Sequence, residues 1–221
     1  MKAKDIILSI DGVKIANDGT IEFRQNERTN FQYAIQNKYI NETSDFEILR
    51  DGNVMKVKIQ LSIPANYCRL VPYEEYDVAP TYFIVGGLVF QKLTRNYLDV
   101  RLRDEEYRSE NFFNLFPYYR TGEPTEDRRE LVLLASVLAD EINVGYQDLE
   151  DIVISHVNGQ KISTLKDLAK AVETNNEKYH VFIDEHGKEI VLDKAGASER
   201  SNIILNNYKV PSDRSEDLKR I

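Results

Sequence analysis

Asp151-Ile152-Val153-Ile154-Ser155-His156-Val157-Asn158-Gly159-Gln160-Lys161-Ile162 decides the fold, because the chain carries this pattern twice. The earlier copy reads Asp5-Ile6-Ile7-Leu8-Ser9-Ile10-Asp11-Gly12-Val13-Lys14-Ile15 and is one residue shorter. Each copy is an apolar strand running into Asn-Gly or Asp-Gly, the strongest short-range signal for reversing a chain. A helix-period segment follows each, then a strand, a Gly turn (Asp51-Gly52; His186-Gly187) and a closing strand. Order repeated in this way means duplicated modules.

Composition narrows the class. The 221 residues suit one or two domains, and 42% hydrophobic with 30% charged content fits a globular chain rather than a disordered one. No apolar run approaches the roughly 20 residues that span a bilayer, so no membrane insertion is expected. The start, Met1-Lys2-Ala3-Lys4-Asp5, carries no signal-peptide core. A net charge of −8 without a basic block argues against nucleic acid and anionic membrane surfaces. Cys68 stands alone, so no internal disulfide or cysteine metal site is expected.

Four segments follow from the pattern. Residues 1–62 read as strand, turn, short strand, helix and hairpin, the helix carrying Phe31, Ala34, Ile35 and Tyr39 as a stripe. Residues 63–80, with Pro64, Pro72 and Pro80, read as a linker. Residues 81–194 form the second module. It opens on Thr81–Phe90, has a short helix from Thr94, and is interrupted by a charged and aromatic excursion at 104–129. Leu131–Leu138 is a nearly continuous apolar strand. Thr164 and Asp167 make a capping box for a helix with Leu165, Leu168, Ala169 and Val172 on one face. Residues 195–221 are a polar C-terminal tail.

This order of elements resembles the PDZ region of HtrA/Deg-family serine endopeptidases, in the form of the larger plant-type Deg proteases. Gly87-Leu88-Val89-Phe90 sits where that family has its carboxylate-binding loop, and Asn143–Tyr146 with Asp151-Ile152-Val153 resembles its Gly-Asp-Val-Ile approach. The resemblance implies an α+β, mostly β fold: tandem PDZ-like modules, small strand-permuted and partly open barrels with two helices, the first one truncated. It implies a peptide site at Gly87, Leu88, Val89 and Phe90, facing Leu165, Leu168 and Val172. There, loop amides hold a terminal carboxylate and the next strand accepts the ligand by strand addition. Val89 departs from the family, where Gly often stands. No protease domain and no Gly-Asn-Ser-Gly-Gly-like motif is present, so no catalytic residue, metal ligand or cofactor is assigned.

The implied role is non-catalytic: recognition of peptide termini or misfolded substrates in protein quality control, and assembly of the parent's homo-oligomer. The parent would be a serine endopeptidase, and the partners protein C-termini, its own protease domain and other subunits. A free-standing PDZ adaptor without protease activity is the alternative. The compartment is open, with the cell envelope or periplasm suggested by resemblance alone. Other residues carry plainer readings. His156 is a strand histidine, and Asp148, Glu150 and Asp151 a solvated turn whose spacing fits no calcium loop. The aromatic run Phe112–Tyr119 is either a flap over its own domain or a contact to a neighbour.

Overall fold

The computed structural model describes residues 1–2, 4–62, 69–103 and 109–219; Pro64, Cys68 and the first part of the 104–129 excursion lie outside them. Two compact units result, Met1–Tyr67 and Cys68–Ile221.

In the first unit, β1 (Ile6–Ile10) turns at Asp11-Gly12 into β2 (Val13–Lys14). β5 (Thr43–Arg50) turns at Asp51-Gly52 into β6 (Asn53–Gln60). Both residues of each turn have positive φ, the condition for a two-residue hairpin of matching twist. The strands make one antiparallel sheet in the order β2-β1-β5-β6. Between them, β3 (Thr20–Arg24) and β4 (Glu27–Asn30) form a separate hairpin that the sequence pattern did not announce. The helix expected across 31–39 is a single turn, α1 (Tyr33–Gln36), with no side-chain N-cap. Phe31, Ala34 and Ile35 still pack on the core, but Tyr39 is 80% exposed. A turn this short cannot carry a stripe through position 39.

The second unit is one larger antiparallel sheet. β7 (Tyr82–Val85) and β8 (Leu88–Lys92) form a hairpin, followed by α2 (Arg95–Arg103). α3 (Phe116–Thr121) precedes β9 (Val132–Val137) and β10 (Ile152–Val157). Next come β11 (Gln160–Lys161), α4 (Leu165–Glu173), β12 (Tyr179–Asp184), β13 (Glu189–Asp193) and α5 (Lys194–Asn207). The order is β13-β12-β10-β9-β8-β7, with β11 on β10. Leu131 and Leu133 face one apolar cluster while Val132 and Leu134 face another. Both faces of the strand are therefore covered, which is why it reads as an unbroken apolar run. The capping box forms as expected: Thr164 Oγ1 accepts from the Asp167 amide at 3.1 Å, and the Asp167 carboxylate accepts from the Thr164 amide at 2.9 Å. Phe112 and Leu115 are fully buried, so the aromatic run folds back onto its own unit. Among the described residues no helix is long and apolar enough to cross a membrane.

Equivalent positions in the two units differ in cover. Ile152 and Val153 pair with Leu134 and Leu133 of β9, and Ile152 is 9% exposed. Among the described residues their counterparts Ile6 and Ile7 pair with β5 alone, and Ile6 is 58% exposed. The first unit's fully covered core is Ile10, Phe46 and Ile48, against two extended clusters in the second. Burial of apolar area sets stability at about 25 cal/mol per Å², so the first unit is the weaker. Amides of β1 and β5 should exchange through openings of lower free energy than those of β10 and β12, and should be lost first in denaturant. Identical protection across both sheets would contradict this ranking.

Candidate functional site

The Gly86-Gly87 pair joins β7 to β8 as a tight turn with φ of +54° and +83°. Space forces glycine here as much as φ does. A Cβ on Gly87 would lie 2.4 Å from both Asn143 Nδ2 and the Leu138 carbonyl, and one on Gly86 would lie 2.6 Å from Leu192 Cδ1. Asn143, with no exposed surface, is the bolt. Its Nδ2 donates to the Gly86 carbonyl at 2.8 Å and to the Leu138 carbonyl at 2.9 Å, while its Oδ1 accepts from the Asp140 amide at 3.0 Å. The Gly87 carbonyl accepts from the Leu138 amide at 2.8 Å. Asp140 is gripped in turn by Arg200 of α5 at 2.9 and 2.7 Å, a pairing that holds its carboxyl below the usual range.

The residues singled out for a peptide site do come together. Leu88, Phe90, Leu165, Leu168 and Val172 belong to one buried cluster, and Val89 is 9% exposed on β8. They are core, however, and β8 has no open edge: it pairs with β7 on one side and β9 on the other. The strand that a guest would meet is β7, one position further out.

That edge already has an occupant. Residues set apart in the sequence as a polar tail include α5 and then double back along β7. Phe83 and Arg214 form an antiparallel bridge. The Ile84 amide donates to the Asp213 carbonyl at 2.7 Å and the Ser215 amide to the Tyr82 carbonyl at 3.1 Å. Tyr82 N donates to Ser215 Oγ at 3.1 Å, Tyr82 Oη to the Ser212 carbonyl at 3.2 Å, and Thr81 Oγ1 to Asp217 at 2.9 Å. The Arg214 guanidinium lies over the Phe83 ring at 5.0 Å and pairs with Glu173 at the end of α4. Leu218, 4% exposed, enters the cluster of Phe83, Leu165 and Leu168.

Elsewhere the acidic turn differs from the solvated reading. Asp151 is 2% exposed and accepts from Tyr97 Oη at 2.5 Å and Ser109 Oγ at 2.6 Å, with Arg101 paired to Glu150 at 3.0 Å. Burial next to the Asp151 carboxylate raises the Tyr97 pKa, so its proton stays on the phenol. Sequence spacing gave no hint of this, since the donors come from α2 and the excursion. His156 Nδ1 lies 3.0 Å from Ser155 Oγ, and Ser155 Oγ itself donates to the Ile183 and Asp184 carbonyls. A strand histidine is all it needs to be.

Residues 71–217 match a family model described as PDZ domain. The chain belongs to the PDZ domain family. This PDZ chain is 34% identical over 99% of its length to protease Do-like 4, mitochondrial, and 32% identical over 99% to protease Do-like 2, chloroplastic, both of Arabidopsis thaliana. It covers 38% and 35% of those proteins. It is also 33% identical over 78% of its length to a serine protease DegP homolog of Plasmodium falciparum, of which it covers 18%. The PDZ chain thus spans little more than a third of the length of its curated Arabidopsis relatives.

One buried base in the PDZ fold gives a pH signature. His180, 4% exposed on β12, has Nδ1 3.1 Å from Asn175 Nδ2, packs near Phe182, and lies close to Lys194. Burial first, and the Lys194 charge second, lower its pKa from 6.5. The folded state therefore disfavours the protonated form. Stability is fully present above the unfolded value and is lost as pH falls from about 6.5 through the folded value. Asp5 and Asp140, held low by Arg50 and Arg200, titrate below that window. Between pH 7.5 and 5.5 the denaturation midpoint of the native chain should fall more steeply than that of His180→Gln; parallel slopes would show that His180 does not set this dependence.

Proposed function

We propose that the chain is the non-catalytic PDZ region of a Do-like serine endopeptidase, and that its second module captures extended peptide segments between β7 and α4. The chain's own segment 213–218, paired on β7 with Leu218 inserted under α4, is the observation that carries this reading. Strand addition gives affinity through main-chain bonds, while pockets for alternate side chains give selectivity. Leu88, Phe90, Leu165, Leu168 and Val172 form the apolar floor, and Gly87 and Val89 fix the strand beneath it.

The bound segment continues through Lys219, so it lies in the groove as an internal stretch rather than as a terminus. Internal or misfolded stretches are therefore the favoured guests over free carboxylates. In a parent protease, the same region would bring such stretches toward catalysis carried elsewhere, and would contribute contacts between subunits.

Because the tail competes, affinity for an added peptide is reduced by the fraction of time that the groove is filled. Extended apolar peptides should bind the full chain weakly, with free-acid and amidated forms within about twofold of each other. A carboxylate nest would separate them by 1–3 kcal/mol, about 5- to 150-fold. No peptide should be cleaved. Absence of binding by any peptide at millimolar concentration would exclude the reading.

A further inference from the structure

We infer that the β7–α4 groove selects for a basic residue followed four positions later by an aliphatic one, so that its external partner is a segment of the form Arg-x-x-x-Leu that displaces residues 214–218. This inference rests on the strand-accepting reading of the groove and adds to it what the groove reads.

The seated tail shows how such a segment is read. Three fixed elements meet it: the Phe83 ring, the Glu173 carboxylate and the apolar pocket formed with Leu165 and Leu168. A guanidinium satisfies the first two together, stacking its plane on the ring while its nitrogens meet the carboxylate. Lysine offers a point charge without the plane, and an acidic residue would face Glu173 directly. The main-chain bonds at Ile84 and Tyr82 fix the register, so the residue four positions on reaches the pocket where Leu218 sits. Thr81 offers a hydroxyl to the residue just before the leucine, where the tail has Asp217. Neither Asp213 nor Ser215 contributes to this selection through α4. Asp213 pairs with Arg214 within the segment itself, and Ser215 bonds to the Tyr82 main chain and to Asp217 of the same segment. The overall charge of −8 favours approach of basic segments in general.

The test uses the full chain and a labelled, end-capped peptide copying residues 210–219, with two variants carrying R214E or L218S. Anisotropy titrations are run on the native chain, on Glu173→Arg, and on Arg214→Glu, in which the resident tail is weakened. The native chain should bind the parent peptide about fivefold more tightly than the R214E peptide, and the L218S peptide least. Glu173→Arg should invert the order of the first two without lowering the thermal midpoint, since Glu173 is partly exposed at the end of α4. Arg214→Glu should bind the parent peptide more tightly than the native chain does. Equal binding of parent and R214E peptides, or an order unchanged in Glu173→Arg, would overturn the selection while leaving strand capture intact. No binding by any peptide, even to Arg214→Glu, would overturn both.

Discussion

The pairing of β7 with β8 across Gly86-Gly87 is the constraint from which the rest of the second unit follows. It exists because two glycines can both adopt positive φ and because Asn143 has no room beside it for a side chain. Once β7 lies on β8, the strand beneath the apolar floor has both edges filled, and the open row of backbone groups moves outward to Tyr82–Ile84. An exposed edge invites pairing. Here α5, anchored by Arg200 on Asp140 and by Tyr208 on the Ala139 carbonyl, carries the chain back so that residues 213–215 can supply a partner. The same loop that bolts the turn thus also anchors the helix that delivers the tail.

The duplication shows how one sequence pattern is completed in two ways. Asp5 and Asp151 open the two copies. In the first unit Asp5 is answered by Arg50, whose Nε and Nη2 both lie at 2.7 Å, and the pairing depresses the Asp5 pKa. Arg50 stands two residues before the turn glycine Gly52, and the matching position before Gly187 is Glu185. A glutamate cannot answer an aspartate, and a buried carboxylate without donors is costly. The excursion supplies the missing donors: Ser109 to Asp151, and Tyr118 and Arg128 to Glu185. The insertion is therefore built into the electrostatics of the second unit, and its aromatic run is the apolar side of the same arrangement.

Much of this was legible in the residues. The Asn158-Gly159 and Asp51-Gly52 turns, the Thr164–Asp167 box and the Leu165–Val172 face need only local chemistry, and each forms where its pattern stands. Tyr39 fits the period of the first helix's stripe, but that helix ends at Gln36, so the pattern runs past the element. The role of the tail was not legible, for a physical reason. A strand added to an edge is held by main-chain bonds, which leave no mark on side-chain pattern, and its single buried anchor, Leu218, makes no period. Asp151 was hidden in the same way, since its donors lie 54 and 42 residues away in sequence. Leu88, Phe90, Leu165, Leu168 and Val172 share one buried cluster, and side-chain pattern alone does not tell a floor from a rim.

Amide exchange at Ile84 and Ser215 tests the central claim most directly, because those two N–H groups make main-chain bonds between β7 and the tail. In the native chain both should exchange by a local opening, faster than amides of β9 and β10, and Leu218→Ala should accelerate both while leaving 152–157 unchanged. Exchange of Ile84 and Ser215 at the rate of the β9–β10 interior, in the native chain and in Leu218→Ala alike, would show that the segment is a permanent strand of the sheet and not a seated ligand.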